Sequence, residues 1–160
     1  MIILHPWVPG VRPADQAHAW ESLGAVSERG GPYRVEHLEV HPDDWYAYAS
    51  AIVDLWGRDD LLTWEHDVGA TPEALDRLWA CPRPICTVLP MAHSEPVEAC
   101  WLGWTKVARR LQEQVRYPVP PRTHWAWIDV SLTTTLSRTA GEPWHVHDEP
   151  SVTHYHGPPI

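Results

Sequence analysis

Phenylalanine is absent from this 160-residue chain, and lysine is nearly so. Without Phe, the 11 tryptophans must supply most of the aromatic core. An indole that keeps its polar N–H near water also suits the wall of a half-wet cleft. The shortage of lysine beside many arginines reflects coding bias and carries no functional reading. Basic charge is short as well. A formal charge of -9 leaves no stripe to face a phosphate backbone, which excludes non-specific nucleic-acid binding but not a local basic pocket. Cysteine is scarce: Cys81, Cys86 and Cys100 are odd in number and match no zinc-knuckle spacing, so buried free thiols in a reducing cytosol are expected. No apolar run approaches membrane-spanning length, and MIILHPWVPG has neither the basic region nor the apolar stretch of a signal peptide. The length fits one domain with a core of its own, and a composition 44% hydrophobic and 21% charged is ordinary for a soluble protein. The expectation is a cytoplasmic single domain.

What is present alternates. Met1 to Leu4 is a short apolar run with the character of a buried strand. ADQAHAWESLG, residues 14–24, has helical spacing and reaches a glycine. Tyr33 to Val40 alternates apolar and charged residues as a strand does. HPDDWYAYASAIVDLWG reads as a helix opened by Pro42 and the aspartates and closed by Gly57. Leu61 to Trp64 predicts a strand, and Thr71-Pro72-Glu73 opens a helix to about Trp79 with Thr71 as its cap. A strand is expected near Ile85–Leu89, a loop over 91–100, and a helix from about Thr105. HWAWIDVSLTTTLSRTAG has helical spacing up to Gly141, WHVH is a last short strand, and residues 148–160 form an extended tail. Strands alternating with helices predict an α/β fold with a mostly parallel central sheet.

In open α/β sheets, ligands sit beyond the carboxyl ends of the strands. Glu65, His66 and Asp67 fall at such an end. While the strand lasts, alternation puts Glu65 and Asp67 on one face, where two carboxylates can bind a hard divalent cation and leave positions for a diphosphate. The plain alternative is that Asp67 caps the following turn and Glu65 pairs with an arginine.

DDLLTWEHDVGATPEALDRL resembles the metal-binding segment of GT-A-type glycosyltransferases, with Glu65-His66-Asp67 in place of their Asp-x-Asp-like motif. More widely, WEHDVGATPEAL, CPRPIC, LGWTKVARRL, WAWIDVSL and HVHDEPSVTHYH, spread over most of residues 1–156, resemble small glycosyltransferase-like proteins of bacteriophages and actinobacteria. The resemblance implies a minimal GT-A-like, Rossmann-like domain over 1–156. It would move a sugar from a nucleotide-sugar donor to a hydroxyl acceptor, such as a modified DNA base or a protein.

By the same resemblance, Mn²⁺ or Mg²⁺ would be held by Glu65 and Asp67, which also bind the donor's diphosphate. A C-terminal histidine would complete the site, His147 first and His145 beside it, with His154 and His156 repeating the spacing. Asp129 would be the catalytic base, although the family's acidic doublet is broken by Ile128; otherwise it is a helix-start acid favoured by the dipole. Trp101, Trp104 and Trp125 could stack on sugar or acceptor, or simply fill the core. The chain is shorter than typical GT-A domains, so a homo-oligomer or a partner subunit could complete it. Two other classes stand beside this one. One is a non-catalytic nucleotide-sugar or protein-binding module. The other is a metallohydrolase, for which His5, His18 and His37 lack the required spacing.

Overall fold

The computed structural model describes residues 1–10, 13–41, 43–44, 46–88, 103–116, 118–120, 122–124, 127–141, 144–147 and 152–155. Strand β1 (Ile2–Trp7) leads into helix α1 (Pro13–Arg29), strand β2 (Arg34–Glu39) and helix α2 (Ala47–Leu55). Then come β3 (Leu61–Trp64), β4 (Val68–Gly69), α3 (Pro72–Ala80) and β5 (Ile85–Val88). Beyond residue 102 lie β6 (Trp104–Val107), α4 (Arg109–Gln112), α5 (Ile128–Ala140), β7 (His145–His147) and β8 (Thr153–His154).

Six strands form one sheet in the order β2-β1-β3-β6-β5-β7, and β4 pairs with β8 in a separate two-stranded ribbon. Only β6 runs against the others in the large sheet, so the sheet is mostly but not purely parallel. Period-two alternation sorts the core into two halves. Ile2, Leu4 and Leu61 pack with Tyr48 and Ile52 of α2 and with Ile128, Leu132 and Leu136 of α5. Ile3, Leu62, Trp64, Cys86 and Val88 face the other way, against Leu23 and Val26 of α1 and Leu75 and Leu78 of α3. The strand interiors are buried on both faces, as expected of a sheet covered by helices on each side.

Several sequence expectations shift. Helix α1 runs through Gly24 and stops before Gly30, whose φ of 71° suits a residue without Cβ. The helix expected from Thr105 is instead strand β6 followed by the short α4. Trp104-Thr105-Lys106-Val107 fills the gap between β3 and β5 with ladders on both sides, and that pairing overrides a weak local helical pattern. The α3 expectation holds in detail: Thr71 Oγ1 accepts from the Ala74 N–H at 3.3 Å, with Pro72 in the first turn. Of the tail expected over 148–160, residues 152–155 are described, and they are anchored: Val152 is fully buried and β8 pairs with β4. The 91–100 loop, Cys100, Trp101, Trp125 and His156 lie outside the described residues.

Candidate functional site

The site grows out of the end of β3. Trp64 is fully buried, edge-on to Trp104 with ring centroids 5.3 Å apart, and its indole N–H donates to the Val68 carbonyl at 2.7 Å. The Glu65 N–H still reaches across to the Gly103 carbonyl at 2.9 Å, and the Val68 N–H closes back onto the Glu65 carbonyl at 3.2 Å. Glu65, His66 and Asp67 therefore form a tight turn rather than a continued strand. The two carboxylates meet through that turn, not through strand alternation.

β4 then receives the C-terminal stretch. Val68 lies opposite His154 and Gly69 opposite Thr153, and the Tyr155 N–H donates to the Asp67 carbonyl at 2.8 Å. Tyr155 stacks on His18 with centroids 3.8 Å apart, over Gly69. A Cβ on Gly69 would come within 2.9 Å of the tyrosine ring, so only glycine permits this approach.

The result is a cluster. Carboxylate oxygens of Glu65 and Asp67 and a ring nitrogen of His154 all lie within 4.8 Å of one another. His154 Nε2 stands 3.0 Å from Asp67 Oδ2, while the buried Asp67 Oδ1 has no hydrogen-bond partner. A buried carboxylate oxygen left without a donor calls for one, or for a cation. Burial alone would raise the Asp67 carboxyl, but the hydrogen bond and charge of His154, with His66 adding, hold it below the ordinary carboxylate value. Glu65 goes the other way. Burial first, then the charges of Asp129 and Asp67, push it up to about 8. Asp129, in the first turn of α5, therefore stands close enough to Glu65 to perturb it, as Asp67 does. Two oxygens and one imidazole form a donor set that fits Mg²⁺ or Mn²⁺.

The structure thus brings together Glu65, Asp67 and, in their neighbourhood, Asp129. The imidazole beside the carboxylates belongs to His154. His145 and His147 sit on β7, at the sheet edge beyond β6 and β5, and are not among the donors converging with Glu65 and Asp67. Trp104 is fully buried in the core and cannot stack on a sugar. His5 and His37, unpromising by spacing, stand with their Nδ1 atoms 3.1 Å apart on adjacent strands, and burial, then His37 and His66, lower the His5 imidazole to about 3.

No protein-family model matches the chain, and no curated protein does. Solved structures do. A197 from STIV superposes with a TM-score of 0.55 at 14% identity, over 98% of this chain and 85% of that one. A glycosyltransferase involved in the glycosylation of the major capsid of PBCV-1 superposes with a TM-score of 0.55 at 14% identity, over 96% of this chain and 92% of that one. At this identity the likeness establishes the fold: a mixed α/β domain of the kind a glycosyltransferase uses. Among the described residues, no helix is long and apolar enough to cross a membrane.

Proposed function

We propose that this chain is a divalent-metal-dependent glycosyltransferase, transferring a sugar from a nucleotide-sugar to an acceptor hydroxyl. The observation that carries the reading is the convergence of Glu65, Asp67 and His154 at the β3 end, next to Asp129, in a fold shared with a glycosyltransferase. The match in extent supports the reading, since this chain covers 92% of that solved glycosyltransferase chain.

Asp67, with Glu65 and His154, would hold Mn²⁺ or Mg²⁺, which when bound supplies positive charge against the leaving nucleoside diphosphate. Asp67 is the resident anion, since His154 keeps its carboxyl ionised. Glu65, raised to about 8, holds its proton near neutrality and would have to give it up to ligate a cation, so the metal-free site carries less uncompensated charge. Asp129 is the base that takes the proton from the acceptor hydroxyl, if configuration is inverted at the sugar.

The test is a panel of nucleotide-sugars with Mn²⁺, scored for nucleoside diphosphate release. Metal-dependent release from at least one donor supports the reading. Donor binding with no release from any member would make the chain a binding module instead.

A further inference from the structure

The residues left over from that site make a second cluster. Cys81 follows α3, Cys86 lies on β5, and His145 and His147 lie on β7. β5 and β7 pair in parallel with Cys86 opposite His145 and Val88 opposite His147, so both imidazoles share the face of Cys86. That face is the one covered by α3, whose end delivers Cys81. Cys81 Sγ stands 3.0 Å from His145 Nδ1, and the two imidazole rings are 4.3 Å apart. All four donor atoms lie within 4.8 Å of one another.

We propose that Cys81, Cys86, His145 and His147 form a tetrahedral zinc site that fastens the last strand of the large sheet to the end of α3. Zn–S bonds of about 2.3 Å and Zn–N bonds of about 2.0–2.1 Å give a tetrahedron whose edges run from about 3.3 to 3.8 Å. Cys81 Sγ and His145 Nδ1 are 3.0 Å apart and no two of the four donors are more than 4.8 Å apart, so side-chain adjustment at this scale is what closing the tetrahedron asks. Two sulfurs and two imidazoles are the donor set of structural zinc, and they disfavour Mg²⁺ and Mn²⁺.

Two features of the surroundings support a built site. Lys106 is the chain's only lysine and is buried, opposite Cys86 across the β5–β6 ladder. Its ammonium donates to the Cys81 carbonyl at 2.7 Å and the Trp79 carbonyl at 3.2 Å. It thus orients the Cys81 backbone and sets a positive charge near the Cys86 sulfur, where burial otherwise opposes the thiolate that a metal needs. Strand β7, meanwhile, is only three residues long, with Val146 46% exposed. A metal bond to the sheet and to α3 would add to the packing of so short an edge strand. The exposed flank of His145 leaves the metal a way in.

The experiment uses the full chain, purified under reducing conditions. Metal analysis should find about one zinc per chain. Replacing zinc by Co²⁺ should give intense tetrahedral d–d bands together with a thiolate-to-cobalt charge-transfer band. Cys81→Ser and His147→Asn should each weaken Co²⁺ binding by more than the 10–100-fold that losing an outer-shell partner costs. Asp67→Asn should leave the charge-transfer band intact, which separates this site from the carboxylate cluster. The spectra are taken on the wild-type chain, so they stand even if a variant fails to fold. Absence of zinc together with a weak, octahedral Co²⁺ spectrum lacking charge transfer would overturn the proposal. So would a Cys81–Cys86 disulfide that persists in the reduced, metal-supplied protein.

Discussion

The two clusters differ in every property that selects a cation. Glu65, Asp67 and His154 offer mostly oxygen, whereas Cys81, Cys86, His145 and His147 offer sulfur and nitrogen only. Hard ions prefer the first set and zinc the second. The carboxylate cluster sits at the end of β3, near Asp129 of α5; the thiol cluster gathers residues from the end of α3, β5 and β7. Yet both borrow their imidazoles from one C-terminal stretch. β7 carries His145 and His147 to β5, and β8 carries His154 to β4. The contrast teaches that a histidine-rich segment is divided by strand pairing, and that the partner strand decides each ring's chemistry.

The largest expected effect falls on the reacting side. Asp129→Asn should lower transfer about 10²–10⁴-fold, the usual loss of a positioned base, with nucleotide-sugar affinity nearly unchanged. Wild-type turnover in that variant would reduce Asp129 to a helix-start acid. Next, His154→Ala should weaken Mn²⁺ binding at the carboxylate cluster while leaving zinc content unaltered, and His145→Asn should do the reverse. If one substitution empties both sites, the division of the histidines is wrong.

Gly69→Ala presses on the same comparison more gently. The new Cβ meets the Tyr155 ring, which is pinned by stacking on His18. Overpacking of this kind costs roughly 1–3 kcal/mol, and here it should also loosen β8 and lower Mn²⁺ affinity. A variant as stable as wild type with unchanged Mn²⁺ binding would show that the β4–β8 pairing does not position His154.

The smallest effect is a pH slope. Glu65 keeps its proton up to about 8 in the folded chain, while the ordinary value of 4.5 applies unfolded. Between those values the unfolded state binds fewer protons. Stability of the metal-free protein should therefore fall as pH rises from about 4.5 to about 8, and level off above. Glu65→Gln should flatten that part of the profile, as read by thermal melts in chelator. An unchanged slope would mean that Glu65 does not titrate as its surroundings require.

Much of this was legible beforehand, for identifiable reasons. Leu61–Trp64 and the Thr71-capped helix follow local rules, and the structure obeys them. Glu65 and Asp67 stood out as carboxylates at a strand end, and Asp129 through the glycosyltransferase resemblance. β6 did not, because Trp104–Val107 is a strand only by virtue of β3 and β5 on either side. His154 was one of several similar histidines, and only the long-range β4–β8 register sets it beside Asp67. The Cys–His cluster was hidden for the same reason. Its cysteines match no zinc spacing along the chain, and only the β5–β7 pairing brings the histidines to them.

On the proposed function, Asp67 anchors a cation that in turn binds a nucleoside diphosphate. Isothermal titration calorimetry with a nucleoside diphosphate, with and without Mn²⁺, on wild type and Asp67→Asn tests it most directly. Mn²⁺-dependent binding is expected in wild type and its loss in Asp67→Asn, with the variant's melting temperature close to wild type in chelator. Binding that ignores Mn²⁺, binding that survives Asp67→Asn, or none up to millimolar concentration would contradict it.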